Sequence, residues 1–173
     1  TGSLAADSDW LLVFGDHSLL PPSQHVMNIG DARLVRLASG RSLDFRSSRW
    51  LGVVASTRGL SGAEAWGTWS DGPRVVIDFV EPLPDRFEVR LTASAFGPNI
   101  GKPFRLKAGK SDFEFVMGNG IDSYEFVIDN PAGATTLEIL VPEPTSPMQL
   151  GLSADVRLLG LGLRTLEIDA LED

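Results

Sequence analysis

Arg86-Phe87-Glu88-Val89-Arg90-Leu91-Thr92-Ala93-Ser94-Ala95 decides the fold class. Apolar and polar residues alternate over ten positions. Successive side chains leave opposite faces of a strand, so a period of two marks a half-buried β-strand. Phe87, Val89, Leu91, Ala93 and Ala95 point inward on this reading. The pattern extends in both directions. Upstream, Val75, Ile77 and Phe79 oppose Arg74 and Asp78, and residues 51–56 alternate with Leu51, Val53 and Ala55 on one face. Downstream, Phe104 and Leu106 oppose Arg105 and Lys107, and Phe113, Phe115 and Met117 oppose Glu114. Tyr124, Phe126 and Ile128 then oppose Glu125 and Asp129, and Leu137, Ile139 and Val141 oppose Glu138. Turn residues separate the runs, as in Ser70-Asp71-Gly72-Pro73 and Gly118-Asn119-Gly120. The last run, roughly 157–168, changes phase. Leu159, Leu161 and Leu163 share one face, whereas Leu166 and Ile168 fall on the other. A β-bulge near Arg164 would restore the register. No stretch has a helical period, although residues 61–65 could form one turn.

Short strands with one solvated face each predict an all-β, antiparallel two-sheet sandwich of about eight to ten strands. A jelly-roll-like order is preferred to an immunoglobulin type. The Cys-Trp-Cys core of antibody domains is missing, and the final strand is long and punctuated by glycine. Residues 1–30 are the least regular and read as an irregular N-terminal segment or linker, with one short strand from Trp10 to Phe14. Residues 31–173 read as the sandwich domain. The opening Thr1-Gly2-Ser3 reads as a cloning remnant or a cut linker.

The chain has 173 residues, is 43% hydrophobic and carries a net charge of −8. That length supports a proper core. The acidic excess argues against nucleic acid or anionic membrane as partner, because both require basic patches. Cysteine is absent, which removes thiol catalysis, thiolate metal sites and disulfides. No apolar run approaches the ~20 residues of a membrane span.

No catalytic constellation emerges. His17 and His25 lack metal-ligand spacing. Ser61 is not in a nucleophile elbow. Glu64, Asp71 and Asp155 are candidate carboxylates for glycoside hydrolysis, but nothing marks two of them as a pair, and this reading ranks low. No catalytic residue and no metal ligand is assigned. No cofactor is expected beyond a structural calcium, for which Asp7, Asp9, Asp16 and Asp71 leave room in loops.

Residues 59–72 concentrate chemistry: Trp66, Trp69, Glu64 and four glycines in fourteen positions. Sugars present apolar C–H faces that stack on aromatic rings and hydroxyls that carboxylates and amides can hold. On a regular strand Trp66 and Trp69 would lie on opposite faces, but Gly67 invites a bend that would bring them together. One reading is a ligand platform of Trp66, Trp69 and Glu64, with Asn99 as a polar contact from a neighbouring loop. The other is structural: a tryptophan plugs the end of the sandwich and Glu64 pairs with a buried arginine. Arg157 and Asp155 lie two apart on one face. An ion pair of Arg157 with Glu64 or Asp155 is therefore expected, and Arg157→Ala should strand a buried carboxylate.

Gly59-Leu60-Ser61-Gly62-Ala63-Glu64-Ala65-Trp66-Gly67-Thr68-Trp69-Ser70, Phe96-Gly97-Pro98-Asn99, Pro144-Thr145-Ser146-Pro147 and Asp155-Val156-Arg157-Leu158-Leu159-Gly160 together resemble one family. It is a β-sandwich domain at the C-terminus of bacterial membrane-bound glycosyltransferases and phosphoglycerol transferases, and the Glu-x-Trp-Gly-x-Trp-Ser core is its most specific part. The similarity spans roughly residues 40–168. The resemblance implies a non-catalytic, carbohydrate-binding-like accessory domain of a periplasmic or extracytoplasmic, membrane-anchored protein. Its implied partners are a glycan or glycolipid head group and the parent catalytic domain. A structural or docking domain that binds no glycan is the alternative. One departure is Thr68, where the family often has Arg. If that Arg grips an anionic group, this chain has lost the grip.

Overall fold

Alternation becomes strand wherever the apolar face finds a second sheet to cover it. The computed structural model describes residues 10–14, 23–29, 32–37, 40–47, 50 and 52–171. Two compact units are separated between Gly40 and Arg41. In the first, strands β1 (Trp10–Phe14), β2 (Ser23–Ile29) and β3 (Ala32–Leu37) form an antiparallel sheet in the order β1-β3-β2. The stretch read as irregular thus holds β2 as well as the expected strand at Trp10.

The second unit is the sandwich. It comprises β4 (Arg41–Asp44), β5 (Val54–Arg58), β6 (Thr68–Trp69), β7 (Arg74–Phe79), β8 (Arg86–Ala95), β9 (Pro103–Ala108), β10 (Ser111–Val116), β11 (Asp122–Asp129), β12 (Thr136–Leu140) and β13 (Leu161–Ala170). One sheet runs β10-β9-β12-β7-β5. The other runs β11-β8-β13-β4, with β6 also paired to β13. All described pairings are antiparallel. With β5 set aside as an added edge strand, the orders β4-β13-β8-β11 and β7-β12-β9-β10 are those of a jelly roll, in which chain-sequential strands change sheet repeatedly. The expected all-β, jelly-roll-like sandwich is the fold.

The core lies between the sheets. Phe87, Val89, Leu91 and Ala93 of β8 have essentially no exposed surface, and they face Val75, Ile77, Phe104, Leu106, Leu137 and Ile139 of the other sheet. On the side where β10 and β11 approach, Phe113, Phe115, Tyr124 and Phe126 close the sandwich with ring centroids 5.2–5.7 Å apart. The outward faces are polar. Arg90 alone reaches Glu88, Glu125 and Glu167 at 2.8–3.1 Å.

The bulge falls where the phase change placed it. The pairing of β13 with β8 shifts between Leu163 and Thr165, so Leu161, Leu163, Leu166 and Ile168 are all buried. Three local expectations are corrected. The last strand starts at Leu161, because the preceding residues pair elsewhere: Leu159 with Thr145, and Leu158 with Asp71 and Gly72. Ala55 is exposed, because the β5 register shifts between Val54 and Ser56. Residues 61–65 form no helical turn, because Glu64 and Gly67 exchange both backbone hydrogen bonds across a tight reverse turn.

Candidate functional site

Residues 59–72 fold back on themselves at one end of the sandwich. The Asp71 N–H donates to the Gly59 carbonyl, and the Ser61 N–H donates to the Trp69 carbonyl. The turn at Glu64 and Gly67 then closes the tip. The arm leaves β5, pairs through β6 with Gly162 and Leu163 of the opposite sheet, and returns to β7. Gly67 is required at the tip by proximity: a Cβ there would lie 2.2 Å from the Leu163 carbonyl oxygen. Arg164, the bulge residue, donates to the Trp66 carbonyl at 3.0 Å. The buried Thr68 hydroxyl donates to the Phe45 carbonyl at 2.7 Å.

The tight turn brings the two tryptophans to one side. Trp69 lies directly opposite Gly162, and opposed residues of an antiparallel pair share a face. Gly162 stands between the core residues Leu161 and Leu163, so this shared face is the outer face of the sheet. Trp66 comes over from the turn, with its ring centroid 4.6 Å from that of Trp69 and the planes tilted by 56°. Trp69 in turn packs edge-on against Phe96 at 5.6 Å. The benzo edges of both indoles converge on Gly162: a Cβ there would meet Trp69 Cζ3 at 2.8 Å and Trp66 Cη2 at 2.9 Å. A missing side chain on β13 is thus the seat of the pair. Both rings are half-buried. Neither plugs the core, and the structural reading of the tryptophans as an end plug does not describe them.

The polar edge of Trp66 meets the charges. Its Nε1 donates to Glu64 Oε2 at 2.9 Å. The other oxygen of Glu64 accepts from Arg157 Nη1 at 3.0 Å, and the same nitrogen donates to the Ser61 hydroxyl at 3.2 Å. Arg157 grips Asp155 through Nε and Nη2, the latter at 2.6 Å. The structure therefore brings Glu64, Asp155 and Arg157 together in one cluster, with Arg157 between the two acids. The Trp66 N–H and the Arg157 guanidinium hold the Glu64 carboxyl below its ordinary value, and Arg157 does the same for Asp155. The two acids raise Arg157 further. The cluster is only partly dry, with side chains 34%, 37% and 27% exposed for Arg157, Glu64 and Asp155.

That exposure tempers the expectation for Arg157→Ala. Water can reach the carboxylates left behind, so the loss is one of charge-assisted hydrogen bonds and not of a fully buried partner. We expect Tm to fall by about 3–6 °C at pH 7. A depressed carboxyl pKa means that the unfolded chain binds more protons, so this contribution is complete above the ordinary carboxyl values of 4.5 and 3.8 and fades as pH falls below them. The Tm gap between wild type and Arg157→Ala should therefore shrink on acidification below about pH 4. A gap that widens in acid would contradict this assignment.

Asn99 is not part of the site. It is fully buried, and its amide donates to the Phe96 and Glu143 carbonyls while its oxygen accepts the Glu143 N–H. With both ends of the amide committed to backbone, it ties two loops together and offers nothing to a ligand. The Thr68 side chain points inward, away from the tryptophan face. Asp71 caps Leu158 through its backbone N–H at 2.9 Å. Among the described residues no three His, Asp or Glu side chains are grouped to hold a metal. Asp7, Asp9, Asp16 and His17 lie outside the described residues, and His25 falls in β2. Sequence reasoning missed Gly162, Ser94 and Phe96, which form the bed of the platform. The one available signal was a glycine inside a strand of leucines.

The chain is 35% identical over 119 residues to phosphoglycerol transferase I of Escherichia coli O139:H28 and of Citrobacter koseri. The match covers 66% of this chain and 16% of the relative, so the chain corresponds to a small part of the curated proteins it matches. Among solved structures, the apo form of BiXyn10A CBM1 matches with a TM-score of 0.47 and 7% identity, covering 76% of this chain and 97% of that one. The CBM36-1 domain of a multidomain xylanase from the hindgut metagenome of Trinervitermes trinervoides matches with a TM-score of 0.40 and 15% identity, covering 78% and 99%. A family model described as a domain of unknown function, DUF7024, matches residues 31–170, and the chain belongs to that family.

Proposed function

We propose that this chain is a non-catalytic accessory domain that holds a neutral glycan, or the glycan head group of a glycolipid, on Trp66 and Trp69. The observation that carries this reading is the indole pair, half-buried and seated over Gly162 on the outer face of the sheet. Indole faces offer large, rigid contact area at low entropic cost, and Glu64 supplies a hydrogen-bond acceptor beside them. Elsewhere the outward sheet faces carry ion pairs such as Arg74 with Glu138 and Arg90 with Glu125. The relation to phosphoglycerol transferase I supports a glycan-modifying enzyme of the bacterial envelope as the parent, with this domain on the periplasmic or extracytoplasmic side of a membrane-anchored protein.

The carboxylates favour binding over glycoside hydrolysis. A general acid for that reaction needs a raised pKa, whereas Glu64 is held down by the Trp66 N–H and Arg157, and Asp155 by Arg157.

Charge sets the ligand class. The nearby cations Arg157 and Arg164 are already engaged, by the two acids and by the Trp66 carbonyl. Among the described residues the charges beside the two indoles are therefore the two acids and arginines that are already paired. Tryptophan-fluorescence titration with unsubstituted β-glucan oligosaccharides should give saturation with a dissociation constant of about 10 μM to 1 mM. The same oligosaccharides bearing phosphate substituents should bind about threefold to tenfold more weakly at low salt, with the gap closing at high salt. No shift with any neutral oligosaccharide at millimolar concentration would overturn the glycan reading. Tighter binding of the phosphorylated set would overturn the charge argument alone.

A further inference from the structure

Five of the ten large apolar side chains that stand exposed among the described residues lie in one loop between β12 and β13. They are Met148, Leu150, Leu152, Val156 and Leu158, with Leu152 67% and Val156 65% exposed. The loop is not frayed. The Met148 N–H donates to the Asp155 carbonyl, the Leu152 N–H to the Pro147 carbonyl and the Gly151 N–H to the Met148 carbonyl, all at 2.9–3.0 Å. Its base is anchored by the buried Ser146, whose hydroxyl and N–H both engage the Gln149 side chain. A backbone satisfied in this way holds its apolar side chains outward in a fixed shape, and a clustered apolar patch of this kind marks an interaction surface.

We infer that this loop docks on an apolar surface of another domain of the same polypeptide. Three observations select that occupant. Within residues 147–158 the only charges are Asp155 and Arg157, which neutralise each other, so the patch carries no net charge. Segments that settle on lipid surfaces pair their apolar residues with Lys and Arg, and this one has no free cation on a chain of net charge −8. The region of similarity occupies only 16% of phosphoglycerol transferase I, so in those relatives it is one part of a much longer chain. Covalent linkage supplies a high effective concentration, which lets a patch too small for a free-standing complex hold two domains together. The inference rests on the accessory-domain reading and adds its geometry. Leu150 lies against Gly97, next to the Phe96 that packs on Trp69, so docking would set the tryptophan pair at the rim of the junction.

Site-specific photocrosslinking in the intact protein tests this. A benzoylphenylalanine replaces Leu152 in one sample and Val80, an exposed residue at the opposite end of the sandwich, in another. The expected result is a light-dependent crosslink from position 152, and not from 80, to a peptide of the same polypeptide outside residues 1–173. Adding Met148→Ser and Val156→Ser should lower the crosslink yield about tenfold while leaving Tm and sugar affinity unchanged. A crosslink from 152 only to lipid, only to a second copy, only within residues 1–173, or to nothing overturns the inference. The mass of the intact protein shows separately whether further domains exist, and sugar titration of the same variant shows separately whether the platform binds.

Discussion

Gly67→Ala should lower stability by about 3 kcal/mol or more, which corresponds to a fall in Tm of roughly 6–12 °C. The added methyl would lie 2.2 Å from the Leu163 carbonyl oxygen and 3.2 Å from its carbon. Both are backbone atoms, so no rotamer change relieves the clash. The chain must instead separate β6 from β13. That would break the pairing of Trp69 with Gly162 and of Thr68 with Leu163, and it would pull on the bonds from Arg164 to the Trp66 carbonyl and from Thr68 to the Phe45 carbonyl. Gly62→Ala in the same arm is the control, because a Cβ there meets nothing within 4 Å. It should stay within about 0.5 kcal/mol of wild type. Urea denaturation of the two variants side by side provides the measurement. Equal midpoints would show that the arm does not press on β13 as described.

Trp69→Ala should remove sugar binding and also cost about 2–3 kcal/mol of stability, because the ring fills the space over Gly162 and touches both Phe96 and Trp66. Trp66→Ala should separate the two effects. Trp66 sits at the tip of the turn and makes one side-chain hydrogen bond, to Glu64, so its removal costs less stability. Affinity should nevertheless fall by about tenfold to a hundredfold, since an aromatic anchor is lost. Calorimetric titration with β-glucan oligosaccharides, paired with melting curves, reads both quantities. If Trp66→Ala bound sugar like wild type, the platform would not be the binding surface, and Trp66 would have only a packing role.

Much of the sandwich was legible in the chain because strand periodicity is local. Residues 86–95 and 74–79 declare their faces by alternation, and the phase change at Arg164 declares a bulge, without reference to any other part of the molecule. The limits of the last strand were not legible in the same way. Residues 157–160 carry the alternation of a strand, but their backbone groups go to Asp71, Gly72 and Thr145, partners 14 to 87 positions away. Asn99 shows the same limit from the other side. A polar residue in a turn reads as exposed, and here it is buried because the Glu143 backbone needs an amide to satisfy it.

For the candidate site, sequence alone determined the ingredients: two tryptophans, an acid and a flexible glycine in one short segment, with an Asp and Arg pair near the final strand. Only the tertiary structure decided that the two indoles lie together on one face. The tight turn at Glu64 and Gly67 cancels the divergence that three-residue spacing imposes on a strand, and the empty position at Gly162 gives both indoles a common floor. The first depends on how closely the arm approaches β13, and the second depends on a residue 93 positions beyond Trp69. Neither distance has a local signature, because chain-local pattern encodes which way a side chain leaves its own strand and not what it finds there.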